Sequence, residues 1–179
     1  TDGLSLFDVQ KWTLADKSDA MHTFQYPRHD RVGITAECNL LSPGDLDHWS
    51  HTPEDSDSIW TGQQVVSASL RYNWHKKHGT ATIEMRDEAW RGFEAMERLA
   101  KISGVPGLVA RSYCSPNEIA SSSGEDIQGE EDSKTVGCGS PSDPDSHWYN
   151  GSVEAGFEGW IWKGDTSSDT IDGHFFTYA

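Results

Sequence analysis

The strongest constraint on this chain is a pair of neighbouring helical stripes. Val66, Leu70 and Trp74 fall at i, i+4 and i+8, widened by Val65, Ala68 and Tyr72. This spacing predicts a helix over about 61–77, closed by His78-Gly79. A second stripe follows at once. Met85, Ala89, Phe93, Met96 and Ala100 recur at steps of three or four, supported by Leu99. Thr80 or Thr82 is the candidate cap, and Gly104 followed by Pro106 is the stop. Two helices joined by a few residues make an antiparallel helical hairpin, so the expected architecture is mainly α.

The rest of the chain offers limited core material. Hydrophobic residues make up 35 % of its 179 residues, offset in part by eight Trp, six Phe and five Tyr. The rings either pack in the core or stack on sugars. Val32, Ile34, Ala36, Cys38 and Leu40 alternate with Gly33, Thr35, Glu37 and Asn39. This period of two reads as a half-buried strand, with a short helix as the alternative, and Ser42-Pro43-Gly44-Asp45 ends it. Residues 1–31 carry no clean period. Residues 45–59 read as a loop. The acidic, Ser/Gly-rich stretch 113–147 reads as an exposed insertion into a single domain or domain fragment. A last helix is expected from Ser168 or Asp169, with Ile171, Phe175 and Tyr178 on one face. That stripe is still running at Ala179, so the expectation is a fragment boundary, or a second polypeptide over that face.

With 14 Lys plus Arg against 29 Asp plus Glu, the formal net charge is −15. That charge argues against nucleic acid and anionic membranes, whose phosphates need cationic partners. Cations, neutral sugars, matrix components and basic proteins remain as partners. The chain has no run of 18 apolar residues to span a bilayer. Of three cysteines, Cys114 and Cys138 flank the acidic stretch, and a disulfide between them would tie off a loop. Cys38 is then free or bonded to another chain. Asn150-Gly151-Ser152 is the only glycosylation sequon. Sequon, acidity and flanking cysteines together favour an extracellular, secreted protein.

Two segments hold more polar groups than structure needs. In Glu54–Gly62, alternating Asp55 and Asp57 offer oxygen ligands to a hard cation such as Ca²⁺. The alternative is acidic charge at a helix N-terminus. In Trp160–Phe176, Asp165, Asp169, Asp172 and His174 exceed what one helix cap uses. Asp172 extends the candidate metal-ligand set, and Gly173 inside a helix calls for close approach of another group. His75 and His78 share a helix face, but with Lys76 and Lys77 they read as a solvated basic patch. His22, His29, His48 and His51 form no motif.

Three blocks taken together resemble a known group. They are Trp60-Thr61-Gly62 with Leu70-Arg71-Tyr72, then Arg91–Leu99 running into Ser103–Ser112, and Trp162–Asp169 with Gly173-His174-Phe175-Phe176. Their order and content resemble a poorly characterised group of secreted bacterial and animal proteins. That group looks like the helical-hairpin toroids, (α/α)-type barrels, common among glycan-active hydrolases, lyases and epimerases. The resemblance spans about 60–179 and implies the N-terminal part of a larger, closed ring of helices. It further implies that the loops gather at one mouth. Asp55, Asp57, Asp165 and Asp169 would converge there between Trp60, Trp160 and Trp162 as substrate walls. Asp165 and Asp169 would be the acid and base, with His174 as an alternative proton carrier. The function expected is a secreted glycan-binding or glycan-active module. The competing expectation is a calcium-dependent structural protein of an extracellular matrix, fibre or mineralised tissue.

Overall fold

The computed structural model describes residues 12–122, 133–135 and 137–179. The first helix, α1 (Leu14–His29), begins at Thr13, whose side chain accepts from the Asp16 amide while the Asp16 carboxylate accepts from the Thr13 amide. This reciprocal pair is a capping box. Short strands β1 (Asp30–Arg31) and β2 (Ile34–Thr35) then form a hairpin. Its two-residue turn has positive φ at both Val32 (51°) and Gly33 (89°). A side chain at Gly33 would also stand 2.8 Å from the Arg91 carbonyl, so glycine is required there twice over. Strands β3 (Glu37–Leu40) and β4 (Trp49–Thr52) pair antiparallel, placing Cys38 opposite His51.

Helices α2 (Asp57–Lys77) and α3 (Ile83–Lys101) follow, the second capped by Thr82, whose hydroxyl accepts from the Met85 amide. Beyond them lie β5 (Ser112–Cys114), α4 (Pro116–Ser122), β6 (Ser133–Thr135), β7 (Trp148–Asn150), β8 (Ile161–Lys163) and α5 (Ser168–Tyr178). Strand β6 runs parallel to β4, whereas β8 is the centre of an antiparallel sheet ordered β5-β8-β7.

The architecture corrects the expectation of a mainly α toroid. Among the described residues the protein is mixed, about 47 % helical and 14 % strand, with several small sheets. The α2–α3 hairpin is present, but no second hairpin follows it among the described residues. The chain instead enters the β5-β8-β7 sheet and returns as α5, which packs on α2. The described residues of 104–122 and 137–164 are punctuated by Gly and Pro, which interrupt long helices.

The main core joins Ile34 of β2, Val65 of α2, Ala95, Met96 and Leu99 of α3, and Tyr113 and Trp162 of the sheet. A smaller cluster sets Trp148 and Ile161 against Cys114. Cys114 and Cys138 are disulfide-bonded, with Cα atoms 6.3 Å apart. Among the described residues, no helix is long and apolar enough to cross a membrane.

The stripes differ from expectation in detail. On α2 the buried face is Thr61, Gly62, Val65 and Ala68, while Leu70 and Trp74 are more than half exposed. On α5 it is Thr170, Gly173 and His174, while Phe175 is 71 % exposed. Both shifts have one cause. Helices α2 and α5 cross at Gly62 and Gly173, where a Cβ on Gly173 would lie 2.5 Å from the Ser58 carbonyl oxygen. The glycines let the backbones approach, so small residues rather than the bulky apolar ones face inward. The first residues of the acidic stretch also depart from an exposed insertion. Tyr113 and Cys114 are fully buried, and Glu118 is nearly so. Residues 123–132, its most acidic part, lie outside the described residues.

Candidate functional site

The acid-bearing turn before α2 splits between two environments. Asp57 is fully buried at the start of α2. Its carboxylate accepts from Arg31 Nη2 at 3.0 Å and from the Ser112 hydroxyl at 2.5 Å. The same guanidinium donates to Glu118 Oε1 at 3.0 Å and to the Tyr113 carbonyl at 2.7 Å. One buried cation therefore serves two carboxylates. Burial dominates, and it pushes the Asp57 carboxyl up to about 6 against the pull of Arg31 and Ser112. This cluster ties β1, α2, β5 and α4 together.

Asp55 is half-exposed, 2.5 Å from Lys163 Nζ, and the bond from Lys163 holds its carboxyl below the usual range. Arg111 bridges to the other acidic turn. Its Nε donates to the Asp55 carbonyl at 3.0 Å and its Nη1 to the Asp165 carbonyl at 2.9 Å. Asp55 and Asp165 are thus brought to one guanidinium, with side-chain approaches of 3.8 and 3.7 Å.

The remaining sequence-derived candidates scatter. Asp169 is exposed in the first turn of α5, near the Ser168 hydroxyl at 3.4 Å. Asp172 is exposed beside Phe176, in an apolar groove against Ile59 and Leu70. His174 is buried, and neither ring nitrogen has a hydrogen-bond partner. Burial alone holds its pKa down. Trp162 is in the core, its indole N–H donating to the Asn150 carbonyl at 3.1 Å. Trp160 is half-buried and packs edge-on against Tyr113 and Phe157. Asn150 itself is exposed on β7. Among the described residues, no group of three or more His, Cys, Asp and Glu is arranged to hold a metal ion. Asp55, Asp57 and Asp172 therefore do not come together.

Trp60, in contrast, is half-exposed on the wall of a cleft of about 870 Å³ between α1 and α2. From α2 come Trp60, Gln63, Gln64, Ser67 and Arg71, at i, i+3, i+4, i+7 and i+11, a single helix face. From α1 come Ser18, Met21, His22, Tyr26 and His29. Glu37 of β3 and Glu54, just before α2, also line it. Behind the wall, Glu88 of α3 gathers three of these groups. It lies 3.1 Å from His22 Nε2 and 3.5 Å from Arg71 Nη1, and accepts from the Gln64 amide at 3.0 Å. Burial raises the Glu88 carboxyl. Burial and the nearby Arg71 lower the His22 imidazole. The rings of His22 and Tyr26 stack at 5.3 Å.

His22, Arg71 and Glu88 were not among the sequence-derived site residues. Their signal was present in part, since Gln63, Gln64, Ser67 and Arg71 recur at helical spacing along α2. The companion stripe on α1 is hidden because that helix has no continuous apolar face to set it off. No family model matches this chain, and no curated protein or solved structure matches it either.

Proposed function

We propose that this chain is a secreted glycan-binding module whose ligand lies in the α1–α2 cleft. One observation carries the reading. A half-exposed indole, Trp60, stands on the wall of a roomy cleft whose lining mixes amide, hydroxyl, imidazole, carboxylate and guanidinium groups with the apolar Met21 and Ala36. Sugars present an apolar ring face and a rim of hydroxyls. An aromatic plate with hydrogen-bonding groups around it matches both. The disulfide between Cys114 and Cys138 and the exposed Asn150 sequon suit an extracellular setting. Asp55 and Asp57 are engaged by Lys163 and Arg31, so the reading rests on the cleft rather than on a bound cation.

Titration calorimetry with a panel of hexasaccharides tests the proposal. At least one should bind, and Trp60→Ala should weaken it about tenfold, the size expected for one lost stacking contact. Absence of binding across the panel at millimolar sugar would sink the reading.

A further inference from the structure

A second groove, of about 520 Å³, runs between α2 and α5. It shares only Gln63 and Ser67 with the cleft against α1 and stands apart from the glycan reading. We propose that this groove is the interface of a two-fold dimer. In it, α2 of a second copy lies antiparallel, and Lys77 of each copy meets Asp172 of the other.

The first support is the spacing on α2. Residues 59, 63, 66, 70, 73 and 77 recur at alternating steps of four and three. That is the spacing of a coiled-coil seam, the row one helix turns toward another. The face of α2 that enters this protein's own core is a different one, Thr61, Gly62, Val65 and Ala68. The seam itself carries Ile59, Val66 and Leu70, and α5 flanks it with Asp172 and Phe176. Leu70 is left 64 % exposed and Phe176 52 %.

The second support is the direction of charge along this face. A Cβ on Gly173 would meet Ser58 and Ile59, whereas Thr177 stands by Gly62 and lines a hollow with Val65 and Ser69. Helices α2 and α5 therefore run the same way, and Asp172 lies at the early end of the seam. Lys77 closes the late end. Fourteen residues separate Gln63, which lines the groove with Asp172, from Lys77, about 21 Å along the axis. Both Lys77 and Asp172 are exposed, and neither has an ion-pair partner among the described residues.

A face with an apolar middle and opposite free charges at its ends is complementary to itself turned end for end. A two-fold axis beside Leu70 sets Lys77 over Gln63 of the other copy, next to that copy's Asp172, and does so twice. Val66, Leu70 and Phe176 of both copies pack between the two charge pairs. A single seam is a small contact, and the net charge of −15 on each copy opposes their approach. The dimer is therefore a weak one that forms in the micromolar range.

Sedimentation equilibrium of the full chain, from about 10 to about 500 μM, tests this. The mass should rise with concentration from one chain to two. Leu70→Glu should weaken association at least tenfold, with an unchanged melting temperature in dilute solution, because the residue is exposed. Lys77→Glu and Asp172→Lys should each weaken it at least tenfold, with circular dichroism unchanged. An equal mixture of those two variants should associate again, since in the mixed pair both contacts join opposite charges. The double variant Lys77→Glu/Asp172→Lys should also recover association. A chain that stays monomeric throughout, whether its groove is open or taken by another protein, overturns the proposal. So does a dimer indifferent to Leu70→Glu, or one lost in the single charge reversals and not regained in their mixture. A monomer whose melting temperature drops with Leu70→Glu overturns it as well, because a segment of the same chain would then fill the groove.

Discussion

At the scale of single residues, Arg31 is the largest fully buried side chain among the described residues. It is 2 % exposed and faces both Asp57 and Glu118. Removing it as Arg31→Met leaves two buried carboxylates without their shared cation, although Ser112 still donates to Asp57 and Ser115 to Glu118, and we expect a loss of about 3–5 kcal/mol in urea unfolding. Asp57→Asn should cost less, because an amide keeps an oxygen for Ser112 while Arg31 retains Glu118. The pH dependence has a definite sign. The folded-state pKa of Asp57, about 6, lies above its ordinary value of 3.8. Between those values the folded chain holds a proton that the unfolded chain does not, so ionised Asp57 costs stability above pH 6. That cost is relieved as pH falls through 6. His22, His51 and His174 act oppositely, because their folded pKa values are lowered from 6.5. Their protonation favours the unfolded chain as pH drops below 6.5. Comparing Asp57→Asn with the unmodified chain isolates the first effect. Between pH 7 and pH 4.5 the stability difference should move in favour of the unmodified chain, and a shift the other way would contradict the assignment. His174 supplies a second residue-scale test. Both ring nitrogens are buried without partners, a standing cost that an apolar ring avoids. His174→Phe should leave the melting temperature unchanged or raise it, and leave saccharide binding untouched. A large loss of binding would mean that His174 contacts the ligand.

At the scale of elements, α2 and α5 cross backbone against backbone. A Cβ on Gly62 would overlap the Gly173 carbonyl, which is backbone and cannot swing aside. Gly62→Ala should therefore destabilise by about 1–3 kcal/mol, although alanine is the better helix former. Gly92→Ala is the control. Its Cβ would meet only the Val65 side chain, at 2.8 Å, so it should cost less in the same denaturation assay. The contrast between these glycines also marks what the sequence could reveal. The start of α3, narrowed to Thr80 or Thr82, was legible because caps and Gly/Pro stops are local signals, whereas α5 begins at Ser168 after an N-cap, Ser167, whose side chain makes no capping bond. The true start of α2, at Asp57 rather than about residue 61, was not. It depends on Arg31 and Ser112, which lie far away along the chain. Helix α1 lacks a coherent apolar face, and its capping box Thr13–Asp16 was the one sign of it. The β5-β8-β7 sheet pairs Ser112 with Lys163, a long-range register that no short window contains. Of the cleft, only Trp60 and the flanking acidic segment stood out. His22 and Glu88 acquire their meaning from being 3.1 Å apart across two helices.

At the scale of the whole molecule, the dominant quantity is charge. Fourteen basic side chains face 29 acidic ones, and several of the cationic groups are drawn inward or into pairs: Arg31 in the core, Arg111 and Lys163 across the acidic turns, Arg71 on the cleft wall against Glu88. What remains outside is mostly negative, as at Asp169 and Asp172. Such an excess repels itself and opposes the compact state. Exposed pairs such as Arg86–Asp87 and Lys101–Glu97 contribute little against it, since each is solvated and screened. The buried Arg31 cluster is beyond the reach of mobile ions. Added salt therefore acts mainly on the repulsion, whose range shrinks from about 30 Å at 0.01 M to about 8 Å at 0.15 M. We expect the melting temperature to rise by a few degrees over that interval with sodium chloride. Potassium chloride should act in the same way, because screening depends on ionic strength. A fall in melting temperature would mean that surface ion pairs outweigh the excess charge. A rise confined to calcium chloride at matched ionic strength would instead reveal a specific cation site among the acids.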